Sequence, residues 1–225
     1  MGYKENFMDF MVRAGVLTFG DFITKSGRKT PFFINTGNYK TGEQVSALGE
    51  FYADCIMENI PDGFDILYGP AYKGIPLAVS TAAALFRKYG VNAGYCFNRK
   101  EAKDHGEGGS LIGATPAAGS RVLIIEDVIT AGTSVRESIP LLRSAAEVQI
   151  AGLIVSVNRM ERGQGEKTAL AEVEEEFGIK TMSIVSIADI IGHLRGREID
   201  GRVVLDDACV ARIQDYLREY GAKQA

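Results

Sequence analysis

The chain has 225 residues, a length that suits one α/β domain with appendages or at most two small ones. Hydrophobic residues make up 46% and charged residues 24%, so a real core is expected and the composition argues against wholesale disorder. The net charge of −4 argues against general binding to nucleic acid or acidic membranes, so an anionic ligand would need a local basic cluster.

The N-terminal MGYKENFMDFMVRAG is amphipathic and mixed in charge, without the apolar stretch of a signal peptide. Its periodicity predicts a short helix over 7–15, followed by an extended piece at 31–34 (PFFI). Apolar positions at helical spacing, from Val45 through Ile56, predict a helix over 43–59. A strand at 65–68 and a turn at 69–74 follow, then an Ala-rich helix over 75–88 and a strand at 93–97. Residues 98–110 are too polar to bury and too long for a tight turn. Beyond them the pattern predicts strand 121–126, helix 134–145, strand 148–157, helix 167–177 and strand 180–185. Helices at 186–194 and 207–220 complete the chain. Apolar strands separated by helices imply a parallel sheet covered on both faces. No run approaches the ~18 apolar residues of a membrane span. Cys55, Cys96 and Cys209 are widely spaced and lack metal-binding patterns, so they read as reduced, structural and cytoplasmic.

In such folds ligands gather beyond the carboxyl ends of the strands. Three loops are therefore candidates: 69–74, 98–110 and 126–134. The stretch LIIEDVITAGTS ends an apolar strand with Glu126 and Asp127, then runs through small and hydroxyl residues into a helix. Backbone N–H groups and the positive helix end suit a phosphate there. The two acids would repel that phosphate, but they suit neutral hydroxyls or a cation carried with it. A sugar phosphate satisfies both halves. A bare strand end with a Thr/Ser helix cap is the plainer explanation; paired acids followed by TAGTS argue against it. Neither GxxxxGK[ST] nor, at this position, GxGxxG is present.

EDVITAGTS resembles the phosphoribosyl diphosphate signature of the type I phosphoribosyltransferases. TKSGRKTPFFIN (24–35), YGPAYKGIPLA (68–78) and FNRKEAKDHGEGG (97–109) narrow the resemblance to the orotate phosphoribosyltransferases, with all four motifs in that family's order. The resemblance covers essentially the whole chain. It implies the type I phosphoribosyltransferase fold: a mostly parallel sheet flanked by helices, with a hood from about 1–40 plus part of the C-terminal region, a core over about 41–185 and a lid at 98–110.

The site residues it implies follow the motifs. Phosphoribosyl diphosphate falls to Lys25, Tyr72, Lys73, Arg99, Lys100, Lys103, His105, Glu126, Asp127, Val128, Ile129, Thr130, Ala131, Gly132, Thr133 and Ser134. Orotate falls to Phe33, Ile34, Thr130 and Arg159, with Ile34 standing where the family often has a second aromatic. Catalytic work is assigned to Lys103 first, with Lys73, His105 and Asp127. The chemistry of the motifs agrees: Lys73 between glycines suits a diphosphate, and Arg99, Lys100, Lys103 and His105 place four cations within seven residues. On composition alone that last cluster would read as a solvated loop. The resemblance also implies magnesium arriving with the donor, no dedicated metal cage, and a homodimer whose lid reaches the neighbouring active site. Two alternatives stay open: an enzyme for another base, and a regulator that binds the donor without catalysis. His193 and Asp65 carry no chemical case and read as structural.

Overall fold

The computed structural model describes residues 2–24, 27–100 and 110–223. The chain opens with α1 (Tyr3–Arg13), a hairpin of β1 (Leu17–Ile23) and β2 (Lys29–Ile34), and α2 (Gly42–Asn59). Next come β3 (Ile66–Tyr68), α3 (Gly74–Tyr89), β4 (Gly94–Asn98), β5 (Leu111–Gly113) and β6 (Arg121–Ile125). Then follow α4 (Thr133–Ala145), β7 (Gln149–Asn158), α5 (Ala169–Phe177), β8 (Thr181–Ser186) and α6 (Ile187–Leu194). A small hairpin, β9 (Glu198–Ile199) and β10 (Arg202–Val203), precedes α7 (Asp207–Tyr220).

The central sheet has the order β5-β4-β3-β6-β7-β8, and only β5 runs antiparallel to its neighbour. Its strands are apolar because both faces are covered, and the two-residue period divides each strand between the faces. Leu67, Leu123 and Ile125 join α2 and α3 through Leu48, Tyr52, Leu77 and Leu85. Ile66, Tyr68, Val122 and Ile124 join α4 and α5 through Val135, Ile139, Leu170 and Val173. The result is a three-layer α/β sandwich.

The expected helices and main strands are all present, most within a residue or two of their expected ends. The first helix is shifted: it starts at Tyr3 and ends at Arg13, because Gly15 takes φ 64° and Val16 turns back to bond Met11. Helix α5 starts at Ala169, where the Thr168 side chain caps it by accepting from the Ala171 N–H. Among the described residues, the strands β1 and β5, the β9–β10 hairpin and a single 3-10 turn at Thr36–Asn38 were not expected. In β1 the pairing is interrupted between Phe19 and Phe22, so no clean alternation shows in the sequence. The β1–β2 hairpin is a separate sheet against α7, where Phe32 meets Tyr216 edge-on at 5.8 Å.

Strand order fixes where ligands gather. From β3 the chain adds β4 on one side and later β6 on the other, which puts a topological switch between β3 and β6. The loops after β3 and β6 therefore meet at one crevice, and the loop after β7 adjoins it.

Candidate active site

The β3 side of the crevice is built by close backbone approach. A Cβ on Gly69 would lie 2.0 Å from the Gly74 carbonyl oxygen, so GPAYKG folds this tightly only with glycine at position 69. The Ala71–Tyr72 peptide is cis. The turn delivers Lys73 across the crevice, where its ammonium donates to Asp127 Oδ2 at 2.8 Å and to Thr36 Oγ1 at 3.2 Å. Thr36 in turn donates to the same carboxylate oxygen at 2.6 Å.

The β6 side holds Glu126 and Asp127, 6% and 7% exposed. Their backbone is fastened from three directions. The Tyr52 hydroxyl donates to the Glu126 carbonyl at 2.6 Å, the Ser156 hydroxyl donates to the Asp127 carbonyl at 2.6 Å, and the Glu126 N–H donates to Ile154 O at 2.9 Å. The side chains sit in different company. Asp127 has a cation beside it, whereas Glu126 accepts from Ser134 Oγ, and burial pushes its carboxyl up to about 7. Glu126 thus closes the 126–134 loop on itself. Gly132 adopts φ 69° immediately before α4, leaving the first N–H groups of that helix facing the loop. Arg136 ties the loop to α5: it donates to the Ala131 carbonyl and, through Nε, to Glu176 at 2.7 Å.

Beyond the loop opens a cavity of about 570 Å³. Phe33 and Ile34 from β2, Thr130 from the loop and Arg159 after β7 line it together. Phe33 stacks on Phe22 at 5.5 Å, and the Arg159 guanidinium lies 4.5 Å over the Phe32 ring. Arg159 is not free at the surface: its Nε donates to Glu161 at 2.9 Å and its Nη2 to the same oxygen.

Most predicted residues therefore gather at one place. Lys73 and Glu126 to Ser134 line the switch point, and Phe33, Ile34, Thr130 and Arg159 share the adjoining cavity. Tyr72 is 68% exposed, with the Lys100 ammonium 5.4 Å from its ring centroid. Arg99 stands at the foot of the 98–110 loop, its N–H bonded to Ser110 O at 2.8 Å. Lys25, Lys103 and His105 lie outside the described residues. Sequence reasoning missed Thr36, Arg136, Glu161, Tyr52 and Ser156. Only Ser156 carried a usable signal: a hydroxyl inside the apolar run LIVSV asks for a buried partner.

Comparison with known proteins shows the family. The family model described as phosphoribosyl transferase domain matches residues 35–188. An orotate phosphoribosyltransferase of Clostridium acetobutylicum is 59% identical over 221 residues, covering 98% of this chain and 99% of that protein. The crystal structure of orotate phosphoribosyltransferase from Francisella tularensis superposes with a TM-score of 0.83 at 32% identity, over 96% of this chain and 100% of that one. A Mycobacterium tuberculosis orotate phosphoribosyltransferase in complex with 5-phospho-alpha-D-ribosyl 1-diphosphate has a TM-score of 0.62 at 17% identity, over 84% and 99% of the two chains, and shares the fold. The chain is a member of the orotate phosphoribosyltransferase family of phosphoribosyl transferases.

Proposed function

We propose that the protein transfers the phosphoribosyl group of 5-phospho-α-D-ribose 1-diphosphate to orotate, giving orotidine 5′-monophosphate and diphosphate for pyrimidine nucleotide synthesis in the cytoplasm. One observation carries this reading: the cavity holding Phe33, Ile34 and Arg159 opens on Thr130 of the 126–134 loop, so a flat anion there would face a sugar held on that loop.

The residues divide the work. The N–H groups and hydroxyls of Thr130 to Ser134 take the 5-phosphate, and Asp127 takes ribose hydroxyls once Lys73 turns from it toward the diphosphate. Val128 and Ile129 supply backbone and shape beneath the sugar. Phe33 and Ile34 pack the base, and Arg159 pairs its carboxylate. Orotate nitrogen then displaces diphosphate at C1 of the sugar through a transition state with cationic sugar character. Charge grows on the leaving group, so Lys73, Arg99, Lys100, Lys103, His105 and Lys25 act by electrostatic stabilisation, with Lys103 leading. Tyr72 shapes the diphosphate side.

The carboxylates at this strand end suit magnesium carried by the donor. Asp127 already accepts from Lys73, Thr36 and the Val128 N–H, so Asp127 and Glu126 would complete a donor–metal unit instead of caging an ion alone. Bound with the diphosphate, the ion would lower the charge of the leaving group.

The hairpin, α1 and α7 form the hood, and 98–110 forms the lid. Val79 and Phe86 are exposed on one face of α3, at 41% and 60%, and Tyr95 is exposed on β4. This apolar surface suits a second copy, and the homodimer brings each lid to its neighbour's site. The test is a panel of free bases with donor and magnesium. Orotate alone should be consumed, with one diphosphate released per orotate. Turnover of uracil, adenine or hypoxanthine in its place would contradict the assignment. Light scattering of the same sample should give twice the monomer mass, and a monomer would refute the shared lid.

A further inference from the structure

One carboxylate in the base cavity is shared by two guanidiniums. Glu161 Oε1 accepts from Arg159 Nε and Nη2 and from the Tyr216 hydroxyl, the last at 2.9 Å. Its other oxygen accepts from Arg28 Nη2 at 2.6 Å. The Glu161 side chain is only 9% exposed. Arg28 is clamped as well, its guanidinium 5.5 Å from the Tyr216 ring and 5.0 Å from the Tyr220 ring. Arg28, Arg159 and Glu161 all line the same cavity.

This wall is unbalanced in two ways. Two guanidiniums share one carboxylate and Arg162 lines the same cavity, so the wall carries an excess of positive charge in a place where burial makes charge costly. In addition, Arg28 Nε is buried with no hydrogen-bond partner among the described residues. A purely structural ion pair would need neither the second arginine nor an unused donor. Both features fit a carboxylate-bearing ligand.

We propose that Glu161 is the positioning residue of the base site: it yokes Arg28 to Arg159, fixes both guanidiniums before the ligand arrives, and makes Arg28 a second cation for the acidic base. The inference rests on the cavity being the orotate site. Pre-organisation is the physical gain, because each arginine has already lost its side-chain freedom when the base binds. The C-terminal region is part of the device. Besides Tyr216 and Tyr220, it holds the 159–166 loop through Arg162 N–H to Tyr220 O at 3.0 Å and Ala222 N–H to Met160 O at 2.9 Å.

Steady-state kinetics on the full chain, varying orotate and donor separately, tests this. Glu161→Gln should raise the KM for orotate about tenfold or more while the donor KM stays within about twofold. Tyr216→Phe should move the orotate KM the same way by about two- to fourfold, and Arg28→Lys should fall between the two. Arg159→Ala serves as the control for the underlying reading. If it raises the orotate KM but Glu161→Gln and Tyr216→Phe do not, the inference is wrong. Equal rises in both KM values with a lowered melting temperature would make Glu161 a structural residue only and overturn it too. If Arg159→Ala itself leaves the orotate KM unmoved, the assignment of the cavity falls first, and the inference with it.

Discussion

Glu126 and Glu161 are both largely buried carboxylates just beyond the ends of neighbouring parallel strands, and their surroundings are opposite. Glu126 accepts from a serine hydroxyl, with Asp127 next to it, and burial pushes it up to about 7. Glu161 accepts from two guanidiniums and a phenol. The first belongs to a wall short of positive charge, which a donor carrying a cation and neutral hydroxyls would complete. The second belongs to a wall with cations in excess, which an anionic base would complete. Each half of the site is thus electrostatically unfinished in the sense its proposed ligand would correct.

Lys73 is the cation nearest the donor wall, and Lys73→Ala should lower kcat/KM by about 10²–10³, read by orotate loss in the ultraviolet. A fall of less than about fivefold would remove Lys73 from the diphosphate.

The next effect is on stability and concerns Glu126. Well below its ordinary value of 4.5, the folded and unfolded chains both hold the proton, and burial of the carboxyl carries no ionic penalty. As pH rises past 4.5 the unfolded chain ionises first, so stability falls until about 7, where the folded carboxyl ionises as well. Glu126→Gln should therefore be more stable than the parent at pH 8 by about 3 kcal/mol at most, and the gain should vanish near pH 4. Denaturant melts at several pH values would show it. A constant difference would mean that the carboxyl is solvated.

Gly132→Ala probes the loop backbone. A Cβ at φ 69° would lie 3.1 Å from both Arg136 Nη1 and Val173 Cγ2, so the turn should open at a cost of about 1–2 kcal/mol. The donor KM should rise while that for orotate moves less. Tyr52→Phe is the smallest change. It removes one buried hydrogen bond to the Glu126 carbonyl, and a loss of about 1 kcal/mol, or roughly 2–4 °C in melting temperature, is expected.

The two walls also differ in how plainly the sequence announces them. Each side of the donor wall is written in one run, because a strand end, a turn and a helix start are local events whose residues must be contiguous. EDVITAGTS and GPAYKG could therefore be read directly, down to the Lys73 and Asp127 that meet at 2.8 Å. The base wall is assembled from β2, the end of β7 and α7, and β2 precedes the other two by well over a hundred residues. No periodicity links Arg28 to Glu161 or Tyr216, and the resemblance supplied Phe33, Ile34 and Arg159 without their supports. Thr36 and Arg136 were hidden for the same reason, since their partners lie across the fold. In the fold itself, long apolar strands and amphipathic helices were evident, whereas β5, β9 and β10 have two or three residues each, too few for a period to show.

The separation of the two walls is best tested by titrating the donor, with magnesium and no base, into the parent protein, Lys73→Ala and Arg159→Ala by calorimetry. Arg159→Ala should bind the donor like the parent, and Lys73→Ala should bind it about tenfold or more weakly. Equal weakening in both variants would mean that the walls are not separate and that the division of the site between donor and base is wrong.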